Sequence, residues 1–144
     1  MAIKLPKLIA TSVVRGSAQG ESHGGIYTVD FATKKGEQHV DWNTSEIDFE
    51  GRGADRGLRG IAFDGDNIYI AASDEIFCYD KNFNLIVSFK NRYLKHAHEI
   101  CKMDRRLFIS SRECLDYVNA KTFGISLDTT NVPLQWMVFS LDNV

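Results

Sequence analysis

Short apolar runs alternate with turn-forming residues along the whole chain. β-branched and aromatic residues fill the runs, and Asp, Asn, Gly and Lys separate them, as at 64–67 and 80–84. No window of about a dozen residues keeps apolar side chains at the i, i+3, i+4, i+7 spacing of a helix. The pattern predicts an all-β fold of short antiparallel strands joined by tight turns.

An internal repeat organises these strands. Residues 58–80 align without a gap on residues 97–119, at an offset of 39 positions. In this alignment the apolar triplet 68–70 meets the triplet 107–109, and turns meet turns. A repeat of about 40 residues with four strands is typical of β-propeller blades.

We therefore predict one all-β domain over residues 1–144, folded as a partial β-propeller of about three four-stranded antiparallel blades. The blade-like units span about 7–50, 51–92 and 93–130. In the middle unit the strands are expected at about 58–63, 67–73, 75–80 and 84–89. The alignment makes 114–119 the third strand of the last unit. An extra strand at 134–141 either finishes that unit or begins another.

Composition narrows the classes of function. With 144 residues, 44% apolar and 25% charged, the chain can bury a core without metals or disulfides. A net charge of −2 with no basic cluster argues against nucleic acid as a partner. No apolar run is long enough for a transmembrane helix, and Pro6 and Lys7 interrupt any signal peptide. We expect a cytoplasmic protein with no membrane partner.

The three cysteines, Cys78, Cys101 and Cys114, form an odd set without metal-like spacing. All three lie among apolar or strand-forming residues, which predicts buried, reduced thiols. Trp42 and Trp136 are expected in the core between blades for the same reason.

Candidate ligand-binding residues gather where the first strand of each unit begins. In a propeller this strand lines the central channel, and the repeat gives Arg59 and His98 the same position in successive units. Arg56 and His96 are their neighbours. Guanidinium groups among glycines suit a carboxylate or phosphate, because Gly lets the backbone approach and Arg forms bidentate bonds. The alternative is that the arginines pair with carboxylates of the connector.

A metal site is a second interpretation of the same region. His96 and His98 are spaced i, i+2, so on a strand both would point to one side. With Glu99, or a carboxylate from another blade, they would ligate a divalent metal. The alternative is that both histidines bond to channel water or backbone. No other cofactor is predicted.

The insertion at residues 15–24 is rich in Gly, Ser and Gln, which predicts a flexible, solvated loop. Ser22 and His23 are adjacent in sequence and do not form a nucleophile–base arrangement by themselves. The alternative is that the loop overhangs the channel and His23 joins His98.

Two segments carry a family resemblance: 57–71, Gly-Leu-Arg-Gly-Ile-Ala-Phe-Asp-Gly-Asp-Asn-Ile-Tyr-Ile-Ala, and 75–80, Glu-Ile-Phe-Cys-Tyr-Asp. They resemble the repeats of NHL and SMP-30-like six-bladed propellers, as found in bacterial propeller-type proteins, and the likeness covers 51–119. Asp41-Trp42 runs in the wrong order for a WD40 repeat. The resemblance implies a six-bladed ring, of which this chain carries about half. Open end blades would expose apolar faces, so we expect a homo-oligomer, with a dimer completing the ring favoured.

These observations predict a non-catalytic propeller-type scaffold or ligand-binding module. It would self-associate and bind a small anionic ligand or a partner at the channel mouth. The alternative, implied by the metal in SMP-30-like lactonases, is a metal-assisted hydrolase or lactonase with a channel site completed by a second chain. His96, His98 and Glu99 would then be metal ligands or general bases. A fragment without activity is the third interpretation.

Overall fold

The computed structural model describes residues 6–18, 20–43, 57–90, 94 and 96–111, and the backbone of a strand at 135–140. Within these ranges all regular structure is β-strand. The strands are β1 (Leu8–Thr11), β2 (Gly25–Asp30), β3 (Lys35–Asp41), β4 (Ile61–Asp64), β5 (Asn67–Ala72), β6 (Glu75–Tyr79), β7 (Leu85–Lys90), β8 (Ala97–Met103), β9 (Arg106–Ser111) and β10 (Gln135–Ser140). The chain divides into two compact units, Met1–Leu58 and Arg59–Val144. No helix in these ranges is long and apolar enough to cross a membrane.

Each sheet is an antiparallel meander. The first unit holds the sheet β1-β2-β3, and the second unit holds β4-β5-β6-β7 and β8-β9-β10. The four strands predicted for the middle unit are all present. Gly65 takes a positive φ of 58° in the β4–β5 turn, where it meets no steric cost.

Two aspartates at equivalent positions hold the turns that end β2 and β6. Asp30 accepts the backbone N–H of Ala32 and Thr33 at 2.9 and 3.2 Å. Asp80 accepts the N–H of Asn84 at 2.9 Å and the Asn84 side-chain amide at 2.9 Å. Bonds to the charged carboxylate favour ionisation, so the Thr33 backbone holds the pKa of Asp30 below 3.8 and the Asn84 side chain does the same for Asp80.

The third sheet departs from the repeat alignment. Strand β10 pairs with β9 along its length, from Gln135 opposite Ser111 to Ser140 opposite Arg106. It therefore finishes the third sheet, on the edge of β9 that the alignment gives to 114–119. That alignment would put Asp116 at the position of Phe77, which is 8% exposed, and burying an unpaired charge there is costly. Residues 112–134 lie outside the described part of the chain.

The core of the second unit is shared between its two sheets. The middle sheet contributes Ala62, Tyr69, Ala71, Ile76 and Cys78, and the third contributes Leu94, Ala97, Ile100, Leu107 and Ile109. Fully buried alanines where β5 faces β8 let the two sheets approach closely. The prediction of an all-β fold of antiparallel, blade-type sheets is confirmed. Within the described ranges only the middle sheet has the predicted four strands.

The cysteine prediction is half right. Cys78 is buried, and desolvation raises the pKa of its thiol, as expected of an inert core cysteine. Cys101 is exposed, so the prediction of burial is wrong there. Side chains alternate along β8, and Ile100 takes the core side, which turns Cys101 to solvent. Cys114 lies outside the described residues.

Candidate anion-binding site at a sheet junction

An irregular backbone pairing opens the strand that carries Arg59. The Arg59 N–H donates to the Ala71 carbonyl at 2.8 Å, and the Ala71 N–H donates to the Gly60 carbonyl at 3.0 Å. Two residues thus oppose one on β5, which is the arrangement of a β-bulge. The Gly60 N–H is directed to the next sheet and donates to the His98 carbonyl at 2.8 Å. The two sheets are therefore joined backbone to backbone at this point.

The same irregularity recurs at His98. Ala97 pairs with Ser111 and Ile100 pairs with Ile109, so His98 and Glu99 share the single position opposite Ser110. The Glu99 N–H, displaced from the ladder, donates to the Ser110 hydroxyl at 2.9 Å. The 39-residue repeat therefore extends to the bulge as well as to the strands. Bulges of this kind re-aim side chains and are common beside functional sites.

Gly60 is required at the junction by packing. A Cβ added to Gly60 would lie 2.6 Å from the His98 carbonyl oxygen and 2.6 Å from Cγ2 of Ile100. Real Cβ atoms do not approach backbone so closely, so any other residue would force the sheets apart. The glycine that the sequence placed beside Arg59 therefore lets the backbone of one sheet meet the next.

The structure brings the two principal predicted ligand residues into contact. Nη1 of Arg59 lies 3.3 Å from Nδ1 of His98, and both side chains are half-buried. A guanidinium has only donors, so Nδ1 must accept this hydrogen bond. The His98 ring in this contact is therefore neutral, with its proton on Nε2. A cation and a neutral imidazole stand side by side at a position partly open to solvent.

The other predicted site residues contribute less. His96 precedes β8 and has a positive φ of 52°, so it is not on a strand with His98, and the same-side argument for the two histidines is wrong. Glu99 is exposed. Arg56 lies outside the described residues. Among the residues that the structure describes, no three His, Cys, Asp or Glu side chains are grouped to hold a metal ion.

The insertion at 15–24 is ordered around a buried histidine, so the prediction of a solvated loop is wrong. His23 is fully buried, its Nδ1 lies 2.8 Å from Oγ of Ser17, and its ring meets Trp42 edge-on at 6.0 Å. The Ser17 hydroxyl also reaches the Val14 carbonyl at 3.2 Å. Ser17 is only 4% exposed, so this pair supports the loop and is closed to a substrate. Trp42 is buried, as the sequence predicts.

An ion pair that the sequence reasoning missed lies at the far end of the same two sheets. Nζ of Lys102 on β8 pairs with the Asp64 carboxylate at the end of β4. The two residues sit at neighbouring positions of successive repeats, so the alignment carried a signal for this contact. The pair fixes the register of β4 against β8 at the end opposite to Gly60.

The described geometry defines the class of protein: an all-β chain with blade-like sheets of the propeller type. No protein-family model matches the chain, and no curated protein matches it. Among solved structures, the chain is similar to WD40-type propeller chains. One is in the crystal structure of the mitotic checkpoint complex, with 10% identity, a TM-score of 0.47, and coverage of 88% of this chain and 33% of that chain. The other is the crystal structure of Saccharomyces cerevisiae Sqt1, with 14% identity, a TM-score of 0.49, and coverage of 89% and 41%. The chain spans less than half the length of either, and a likeness at this level carries no functional argument.

Proposed function

We propose that this chain is a non-catalytic ligand-binding module that holds a small anion at the junction of Arg59 and His98. The observation that carries the proposal is the 3.3 Å contact between Arg59 and His98, residues at equivalent positions of successive repeats. A guanidinium presents several N–H donors in one plane, which matches the oxygens of a carboxylate or phosphate. The backbone bonds through Gly60 hold both residues in place, so little order is lost on binding.

A binding role is favoured over the metal-assisted hydrolase. That alternative needs several metal ligands converging on one point, and His96 and His98 do not share a strand face. The buried Ser17–His23 pair has the atoms of a nucleophile and a base but admits no substrate. An anion site needs only Arg59, His98 and solvent access.

The binding proposal is tested by titrating ¹⁵N-labelled protein with sodium sulfate and sodium acetate while following the ring nitrogens of His98. We expect saturable shifts at His98 that disappear in Arg59→Ala. His39→Gln is the matched control, because His39 is another half-buried histidine, bonded to Thr28 at 2.8 Å on a different sheet. Shifts of equal size in Arg59→Ala, or none in the native protein, would overturn the proposal.

We also propose that the chain self-associates, with a second copy of itself as the partner. Support comes from β7, which pairs on one side with β6 and exposes Leu85, Ile86 and Val87 at 54%, 55% and 37%. The edge strand at the same repeat position in the first sheet, β3, carries charged residues instead. Charges protect an edge strand from pairing with another chain, and an apolar edge invites it. The resemblance to six-bladed NHL and SMP-30-like rings, which remains part of this proposal, would make two such chains one ring.

Sedimentation equilibrium over a range of concentrations tests the association. We expect a dimer that Ile86→Lys converts to monomer, because a charge on the exposed edge opposes strand pairing. Gln38→Lys on the exposed part of β3 is the matched control and should leave the dimer intact. A native protein that stays monomeric at all concentrations would refute self-association and leave the anion site unaffected.

A further inference from the structure

We infer that the anion held between Arg59 and His98 is a small, doubly charged oxyanion, and that its binding takes up one proton from solvent on His98. This inference rests on the proposed function, since it concerns the ligand of the same site. It assigns the charge of the ligand and links its affinity to pH.

The proton inventory of the contact is the first step. Without a ligand, Nδ1 of His98 accepts from Nη1 of Arg59 at 3.3 Å, and the ring is neutral. If Nδ1 gains a proton, two N–H donors face each other and two cations stand in contact. That arrangement is unfavourable by itself, so the protonated ring needs an acceptor between it and the guanidinium.

An oxyanion between the two groups supplies that acceptor. One oxygen would accept from Arg59 and another from Nδ1–H of His98, so each cation gains a charge-assisted bond. A dianion then neutralises both cations, whereas a monoanion leaves one positive charge uncompensated in a half-buried site. The guanidinium is always charged, so His98 is the group whose protonation state follows the ligand.

The fixed backbone makes this exchange local. The Gly60 N–H bond to the His98 carbonyl at 2.8 Å and the Ser110 hydroxyl under the Glu99 N–H at 2.9 Å hold the main chain of both bulges. Only the two side chains need to turn to admit an anion. The oxyanion therefore enters a junction whose spacing is already set.

Other charged groups bear on His98 and must be separated from the ligand. On its own segment these are His96 and Glu99, and the Ala97–Ser73 bridge brings Asp74 to the start of β8. At the far end of the strand, about 13 Å along β8, lie the Lys102–Asp64 pair and Arg106, which opposes Met103. The facing positions of β5 and β9 are Ala71 and Ser110. Glu99 is the nearest exposed carboxylate, and it would favour the protonated ring in the absence of any ligand.

Sulfate is the suitable probe, because it stays doubly charged across the range in which imidazole titrates, near pH ~6.5. We expect its affinity, measured by titration of the His98 ring signals, to rise about tenfold between about pH 7.5 and pH 5.5. Calorimetry in buffers of different ionisation enthalpy should give close to one proton taken up at the upper pH. Acetate should bind more weakly than sulfate throughout.

Variants separate the inference from the function on which it rests. His98→Gln keeps a neutral acceptor beside Arg59, and its residual sulfate binding should be independent of pH, while His39→Gln should behave as the native protein. Glu99→Gln should retain the pH dependence if the anion, and not the neighbouring carboxylate, drives proton uptake. Sulfate affinity that is equal at both pH values, or acetate binding as tight as sulfate, would overturn the inference alone. Failure of every oxyanion to bind at either pH would overturn the proposed function with it.

Discussion

Replacing Gly60 by alanine perturbs the junction on which both the fold of the second unit and the candidate site depend. The added methyl group would start 2.6 Å from the His98 carbonyl oxygen and 2.8 Å from the backbone nitrogen of Ile100. Backbone atoms cannot turn aside as the end of a side chain can. The two sheets must therefore separate, or the Gly60 segment must withdraw from β8, and either movement breaks the 2.8 Å bond from Gly60 to His98.

The cost follows from three contributions. Loss of one backbone hydrogen bond removes about 1 kcal/mol. Overpacking at a close contact typically costs about 1–3 kcal/mol. Alanine restricts the unfolded chain and returns about 0.4–1 kcal/mol. We therefore expect Gly60→Ala to lower the free energy of unfolding by about 2–3 kcal/mol.

Urea denaturation followed by circular dichroism measures this change. Gly36→Ala is the matched control, because Gly36 also lies in a strand, and its added Cβ would meet only the Thr28 carbonyl oxygen, at 3.9 Å. The control should change stability by less than about 0.5 kcal/mol, as is usual for surface substitutions. If Gly60→Ala unfolds at the same urea concentration as the native protein, the close approach of the two sheets is wrong.

Three further outcomes are expected. Burial raises the pKa of Tyr79 to about 12, so its phenolate absorbance should appear above the ordinary value of 10.0, and native-state stability should fall as pH rises between these values; ionisation near 10.0 would contradict this. The Asn84 side chain lowers the pKa of Asp80, so Asp80→Asn should reduce the melting temperature near neutral pH, with a deficit that shrinks as pH falls below 3.8; a constant deficit would argue against the charged bond. Ser17→Ala removes the hydroxyl 2.8 Å from the buried His23 and should cost about 1–3 kcal/mol in urea unfolding; no change would mean that this bond does not support the loop.

Strand positions and the pairing of equivalent residues were predictable because both depend on local pattern. Alternation and turn residues define the middle sheet, and the 39-residue offset puts Arg59 and His98 in the same place in two sheets. Once the sheets stack, equivalent positions become neighbours. The bulges at these positions were not predictable, because they depend on where Gly60 and Ser110 send single hydrogen bonds.

The wrong predictions share a physical origin in tertiary structure. Loop composition suggests solvent for residues 15–24, but His23 is buried under Trp42 by contacts distant in sequence. Cys101 looks apolar, yet the alternation of β8 turns it outward. Strand β10 takes the place beside β9 because pairing partners are chosen in space and not by position in a repeat.

The hydrogen bond from Gly60 N–H to the His98 carbonyl tests the stacking of the two repeats most directly. A scalar coupling across this bond, between the Gly60 amide nitrogen and the His98 carbonyl carbon, can be measured by NMR in labelled protein. The bond length of 2.8 Å predicts an observable coupling and a Gly60 amide that is protected from exchange. An unprotected Gly60 amide with no coupling, in a protein whose strands are otherwise intact, would show that the equivalent ends of the two repeats do not meet.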